Sequence, residues 1–329
     1  MEKTNVEVLY EWIDQMNGLI QQYADEPYLD RLIMAMEILL NQKPYEEMDE
    51  LLSKKIDQAL GELNLSDFQS EEIRKSLQLA ILKGMKEATQ DQHLMTPDTV
   101  ALLVGYIAKK LTEEKELLRL FDPVSGTGNL LTAVLEQLPD ETETYGSEVD
   151  PTLIQLAVLN ANLQQKQIEF FHQDSLRPFL LDPVDLVVAD LPVGYYPDDI
   201  QAKRFQLKAE EGHSYAHHLL IEQSLNYIEE AGYGIFVIPE FLFSSDQSEQ
   251  LHTYLMEKAH IVGVIRLPES AFASKNKVKS ILILQKEGTN TKAPKQPMLV
   301  QMPSFKNAAA MEDILEQINA WIKEYKNKR

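Results

Sequence analysis

The residues best suited to chemistry lie in one glycine loop and in short acidic segments downstream of it. The loop reads Phe121-Asp122-Pro123-Val124-Ser125-Gly126-Thr127-Gly128-Asn129-Leu130, between a predicted strand and a predicted helix. Gly126 and Gly128 let backbone amides approach a ligand where a Cβ would clash. A dinucleotide fingerprint would want a third glycine at position 131, which is Leu131. A P-loop needs Gly-Lys-Ser or Gly-Lys-Thr, which the loop lacks. A nucleoside therefore suits it better than a pyrophosphate or triphosphate. Tyr145-Gly146-Ser147-Glu148-Val149-Asp150-Pro151 follows the second predicted strand, and Glu148 stands 26 residues after Asp122. A carboxylate there can bind both hydroxyls of a ribose. Gln173-Asp174-Ser175 follows the third strand, where Asp174 could accept from an adenine amino group. Each acid alone is also what a solvated loop carries, and the glycines alone could make a plain strand–helix turn. Their register at the carboxyl ends of successive strands points to a ligand, because that edge is where open α/β sheets bind.

Short apolar runs alternate with helical stretches from about residue 93. The strand candidates are Leu117–Phe121, Glu143–Gly146, Ile168–His172, Asp185–Ala189, Tyr233–Ile238, Ile261–Leu267 and Ser280–Gln285. That alternation predicts a Rossmann-like α/β domain with a mostly parallel seven-stranded sheet. A helix is predicted from Thr96 to Leu111, with Thr96 as its cap and Pro97 at its first position. Residues 287–297 read as a polar linker and 308–325 as a terminal helix. Residues 1–90 have a different texture. Val8, Trp12, Met16 and Leu19, then Leu29, Ile33, Met36 and Leu40, recur at helical steps. Breaks at Pro27, Pro44 and 64–67 divide this segment into four helices. The expected organisation is a small all-α domain over 1–90 and an α/β domain over 91–329.

Composition excludes several classes. The 329 residues contain no cysteine, so a disulfide framework, a cysteine zinc site and a thiol nucleophile are all ruled out. Cytosine-C5 methylation, which needs a cysteine nucleophile, falls with them. No long apolar window or signal-like start is visible, which predicts a cytoplasmic protein with no membrane role. Net charge is −21, distributed as −10 over 1–92, −17 over 93–259 and +6 over 260–329. A protein that grips DNA through a broad basic surface would not be built so.

The segments MTPDTVALLVGYIAKKL, FDPVSGTGNLL, YGSEVDP, QDS, VVADLPVGYY, YAHHLLIEQSLNYIEEAGYGIFVIPEFLF and GVIRLPESAFASKNKVKSILILQK together resemble class I S-adenosylmethionine-dependent methyltransferases. The match is nearest to the adenine-N6 DNA methyltransferase group, in particular the modification subunit of type I restriction systems. It covers about residues 93–287. The resemblance implies S-adenosylmethionine as cofactor. Thr96 and Pro97 would border its methionine end, and Asp122, Ser125, Gly126, Thr127 and Gly128 would wrap its amino-acid part. Glu148 would hold the ribose, and Asp174 the adenine amino group with Ser175 beside it.

The family's catalytic element is Asn or Asp, Pro, Pro, then an aromatic. Here it reads Asp190-Leu191-Pro192-Val193. An exocyclic amine is a poor nucleophile. A side-chain oxygen and a backbone carbonyl accept its hydrogens and direct its lone pair toward the methyl group. Asp190 and the Leu191 carbonyl retain those acceptors and Pro192 is kept, but Leu191 lacks the ring that stiffens the turn and Val193 cannot stack on a flipped base. Tyr195 or Tyr196 would have to supply the ring. DNA is the acceptor this implies, with RNA or a protein glutamine amide, or a non-catalytic cofactor-binding scaffold, as alternatives. Few residues are left for target recognition, so specificity would call for a partner chain. His213 and His217 have helical metal-site spacing but no supporting Glu, so the cluster with His218 reads as a helix start near the substrate cleft and no metal is expected. Arg266, Lys275, Lys277 and Lys279 form a small basic strip, suited to phosphate contact or to a solvated loop.

Overall fold

The computed structural model describes residues 3–87, 95–178, 180–272 and 278–327. Lys275 and Lys277 lie outside them. The amino-terminal segment forms four helices, α1 (Asn5–Ile20), α2 (Tyr28–Asn41), α3 (Glu50–Gly61) and α4 (Ser70–Glu87). Thr4 and Glu7 make a reciprocal capping box on α1, and Asp49 caps α3 through the Leu51 and Leu52 amides. Leu9, Trp12, Ile13, Met16 and Ile20 put the buried stripe of α1 at three- and four-residue steps.

The remainder is one eight-stranded sheet with helices on both faces. Its strands are β1 (Arg119–Asp122), β2 (Glu143–Glu148), β3 (Glu169–His172), β4 (Val184–Asp190), β5 (Ile228–Pro239), β6 (Ala259–Arg266), β7 (Lys279–Lys286) and β8 (Met298–Gln301). Their order is β3-β2-β1-β4-β5-β7-β6-β8, parallel except for β7, which runs antiparallel between β5 and β6. The helices are α5 (Asp98–Thr112), α6 (Asn129–Leu135), α7 (Pro151–Leu163), the short α8 (Asp199–Ala202), α9 (Ala216–Tyr227), α10 (Ser248–Lys258) and α11 (Ala308–Asn327).

Two expectations are corrected. The sheet has eight strands rather than seven. The extra one is four residues long, follows the polar linker and pairs with β6 at the edge. The start of α5 also differs. Pro97 occupies its cap position without a side-chain cap, and the Thr96 hydroxyl reaches elsewhere.

The helical bundle is not an appendage. Leu156, Leu159 and Leu163 of α7 belong to the same apolar cluster as the bundle core, so α7 lies between bundle and sheet. Arg74 of α4 has a fully buried side chain that pairs with Asp98 at the start of α5 and lies 3.7 Å from Glu136, just after α6. The bundle thus grips the start of α5 and the end of α6, the helix that follows the glycine loop.

Candidate active site

The carboxyl ends of β1, β2 and β4 carry Asp122, Glu148 and Asp190 to one edge of the sheet. Because β7 is antiparallel, its amino end brings Lys279 to the same edge. Asp190 is in register with Val237 of β5, and Lys279 with Pro239, two residues further on.

The glycine loop adopts the conformation its residues predict. Gly126 has φ +53° and Gly128 φ +76°, a region that disfavours a side chain. A Cβ on Gly126 would meet nothing within 4 Å, so the loop faces open space there. The Ser125 amide donates to the Ser147 carbonyl (2.9 Å), and the Asn160 side chain donates to the Thr127 carbonyl (3.1 Å). These bonds pin the loop to β2 and α7. Ser125 and Thr127 are themselves buried.

Asp122 is 1% exposed. Its Oδ1 accepts from the Val124 amide (3.0 Å), while Oδ2 has no partner among the described residues. Burial pushes its carboxyl well above the usual carboxylate range, and the nearby Glu148 and Asp190 add to the shift. A buried carboxylate oxygen without a partner is costly, and a cation placed on it would remove that cost. Glu148 accepts from the Gly126, Val149 and Asp150 amides, each at 2.9 Å. A carboxylate has about four acceptor sites, so one remains.

Asp174 and Ser175 are held differently. Asp174 accepts from the Leu176 amide at 3.0 Å and from the Tyr196 hydroxyl at 2.5 Å. The Ser175 hydroxyl is buried and donates to the Pro123 carbonyl, so it ties the glycine loop to the end of β3.

Asp190 is fixed from both sides. Its Oδ2 accepts from the Thr96 hydroxyl (2.8 Å), and its Oδ1 is paired with the Lys279 ammonium. The Thr96 carbonyl accepts from the Asn129 side chain (3.0 Å), linking the site to the first residue of α6. Leu191 is fully buried and its amide donates to the Val237 carbonyl (3.0 Å). A proline could not make that bond. Pro192 and Val193 are exposed.

The two tyrosines part company. Tyr196 is buried against Asp174; burial first, then that hydrogen bond, raises its phenol. Tyr195 is 57% exposed and lies on Tyr215, with ring centres 4.8 Å apart and planes 16° from parallel. Tyr215 stacks in turn on His217 at 5.0 Å, and Phe241 meets His217 edge-on at 6.0 Å. Gly194, with φ +146°, turns the chain so that its carbonyl receives the Ala216 amide. Of the two rings, Tyr195 is the one presented to solvent.

His217 and His218 open α9 and are both fully buried. No ring nitrogen of either has a hydrogen-bond partner among the described residues. Burial pushes His217 down to about 4; the Pro192 carbonyl opposes the shift, and the Lys279 charge adds to it. Burial and the neighbouring His217 push His218 down to about 3. His213 stays on the preceding loop and contacts Asp199 (3.0 Å). Among the described residues no group of three or more His, Asp or Glu could hold a metal. No helix among them is long and apolar enough to cross a membrane.

Sequence reasoning missed Lys279 as part of this site and gave Tyr215 and His217 no role beyond a helix start near the substrate cleft. It placed Lys279 in a basic strip with Arg266. Both side chains are in ion pairs, Lys279 with Asp190 and Arg266 with Glu240 (2.6 Å). Only the strand order brings Lys279 to Asp190.

Residues 81–327 match the family described as N-6 DNA Methylase, and residues 7–85 match the YtxK N-terminal helical domain. The uncharacterized protein YtxK of Bacillus subtilis (strain 168) is 42% identical over 333 residues, covering 99% of this chain and all of its own. A solved structure from Listeria monocytogenes, assigned to the class I S-adenosylmethionine-dependent methyltransferases, aligns with a TM-score of 0.91 at 38% identity. That alignment covers 97% of this chain and 99% of the other. The methyltransferase subunit of a type I restriction-modification system from Streptococcus thermophilus shares the fold. Its TM-score is 0.65 at 17% identity, over 96% of this chain and 74% of that one. These comparisons lend no support to RNA or a protein amide as acceptor.

Proposed function

The chain belongs to the N-6 DNA methylase family of class I S-adenosylmethionine-dependent methyltransferases, and on that premise we propose that it methylates the exocyclic amine of adenine in DNA. The observation that carries the reading is Asp190, fixed by Thr96 and Lys279 at the sheet edge that also holds the unpartnered oxygen of Asp122.

S-adenosylmethionine, when bound, supplies an electrophilic methyl group on a sulfonium. The residues present fit that cofactor. Asp122 Oδ2 would take the ammonium of its amino-acid end, and the open space beside Gly126 would take the backbone of that end. Glu148 keeps one acceptor site for the ribose, and Asp174 sits where the adenine would end. Thr96 and Pro97 would border the cofactor's methionine end. At the acceptor side, Asp190 and the Leu191 carbonyl receive the two hydrogens of the amine and aim its lone pair at the methyl carbon. With the cofactor bound, these two acceptors would hold the amine while its nitrogen takes the methyl group, and the methylated amine would release one proton to solvent. Pro192 holds the turn, and Tyr195, backed by Tyr215, offers a stacking face for a base taken out of its helix.

Recognition of a DNA sequence is assigned to a partner chain. The acidic segment 93–259 and the pairing of Arg266 and Lys279 leave little free positive charge at this edge for phosphates. Transfer of a tritiated methyl group to unmethylated genomic DNA tests the reading. Label is expected in DNA with the wild type and not with Asp190→Ala. Label confined to RNA or to a protein band would refute it.

A further inference from the structure

Lys279 fixes Asp190, and cofactor binding and methyl transfer assign its charge no task beyond that. Its side chain is 14% exposed and that of Asp190 13%, so the pair is largely withdrawn from water. Its charge is not shared out. The adjacent His217 is neutral near pH 7, because burial holds it down to about 4. The neighbouring cation on β6, Arg266, is committed to Glu240.

We propose that Lys279 determines which class of amine Asp190 can accept, admitting an uncharged planar amine and turning away a protonated aliphatic one. The inference rests on the cofactor site proposed above. An unpaired carboxylate in a partly dry cleft attracts any ammonium strongly. Such an ammonium has no lone pair to offer, so binding it would block transfer. With Lys279 in place the pair carries no net charge, as an asparagine would. The hydrogen-bonding capacity of Asp190 survives that neutralisation. Thr96 and Lys279 use two of its roughly four acceptor sites, which leaves room for an N–H of a neutral amine. An aliphatic ammonium would meet the Lys279 charge with no net attraction to offset it. Exocyclic amines of nucleobases are neutral at pH 7. Amines of lysine side chains and polyamines are not.

Two cofactor analogues test this without a methyl acceptor. S-adenosylhomocysteine lacks the methyl group. Sinefungin carries an amine-bearing carbon in place of the methyl-sulfonium and so brings a charged amine to the transfer position. The ratio of their dissociation constants, measured by isothermal titration calorimetry on the full chain, cancels the shared contacts and reports the charge facing that amine. In Lys279→Met the preference for sinefungin should rise at least about tenfold over the wild type, as expected for losing one cation at close range. In Asp190→Asn, which leaves Lys279 unpaired, it should fall by at least about tenfold. Lys279→Arg keeps the pair and should keep the wild-type ratio. A wild-type ratio in both Lys279→Met and Asp190→Asn overturns the proposal while leaving the cofactor site standing. Should Lys279→Met not fold, an unchanged ratio in Asp190→Asn alone overturns it. No binding of S-adenosylhomocysteine by the wild type overturns the cofactor reading and this inference with it.

Discussion

Lowering the pH from 7.5 to 5.0 should cost the wild type more stability than it costs His217→Phe, and the excess can be worked from the structure. His217 is fully buried with no hydrogen bond to either ring nitrogen, and its folded value is pushed down from 6.5 to about 4. In the unfolded chain the ring takes a proton as the pH falls through about 6.5. In the folded chain it stays neutral until about 4. Between those values the unfolded state binds more protons, so stability falls as the pH falls; below about 4 the loss levels off. At pH 5.0 the unfolded ring lies about 1.5 pH units below its own value. At 1.36 kcal/mol per unit, that comes to about 2 kcal/mol. Phenylalanine has a similar shape, keeps the contact with Tyr215 and cannot titrate. Groups not in contact with His217 contribute alike to both proteins, and His218 is held down first by its own burial, so the difference of differences reports chiefly on His217. Urea unfolding followed by circular dichroism at the two pH values supplies the four free energies. Equal losses in wild type and variant would show that His217 is hydrated or protonated in the folded protein and would refute the reasoning.

Three further outcomes follow from the site. Asp122→Asn keeps the acceptor for the Val124 amide but removes the buried charge. It should weaken S-adenosylhomocysteine binding about tenfold by calorimetry while stabilising the free protein by about 1 kcal/mol; undiminished affinity would detach Asp122 from the cofactor. Tyr195→Ala should abolish methyl transfer without moving the thermal midpoint. Tyr196→Phe, which loses only the bond to Asp174, should cost about 1 kcal/mol in urea and leave transfer near wild type. The reverse pattern would make Tyr196 the stacking ring. Arg74→Met should cost about 2 kcal/mol in urea unfolding, because Asp98 and Glu136 lose their cation but are exposed enough to rehydrate in part. No loss would mean the bundle docks through α7 alone.

How much of this could be read in the sequence depended on the range of the interaction. The glycine loop was legible because its conformation is local. Positive φ at Gly126 and Gly128 is a demand on those residues alone. The long strands were legible because four or more apolar residues in a row bounded by turn formers have few other uses. The edge strand at 298–301 was not, since Met-Leu-Val-Gln after a polar linker carries too few residues to show a period. Thr96 preceding Pro97 satisfies the local grammar of a helix cap, and the stronger claim on its hydroxyl came from Asp190, 94 positions away. Lys279 and Asp190 are 89 positions apart. Their meeting depends on β7 being inserted antiparallel beside β5, which no local pattern specifies.

The altered catalytic turn illustrates the same point from the other side. Read as residues, Leu191 in place of a proline and Val193 in place of an aromatic look like erosion. Each loss has a counterpart in space. A proline ring would restrict φ at position 191, but it would also remove the amide that donates to Val237. That bond extends the β4–β5 ladder one residue beyond Asp190, and the Leu191 side chain is buried in the cluster around Phe236 and Ile238. The turn is therefore held by the sheet and by packing where a proline would hold it by its ring. On the proposed reading the missing aromatic would be met two residues later by Tyr195, which follows Gly194 at φ +146° and stacks on Tyr215. A chain that had merely lost its catalytic turn would have no cause to keep Asp190 clamped between a hydroxyl and an ammonium, because a largely buried ion pair is weak evidence of stability on its own account. Asp190 and Lys279 are better explained by a charge that must be present, oriented and neutralised at one place.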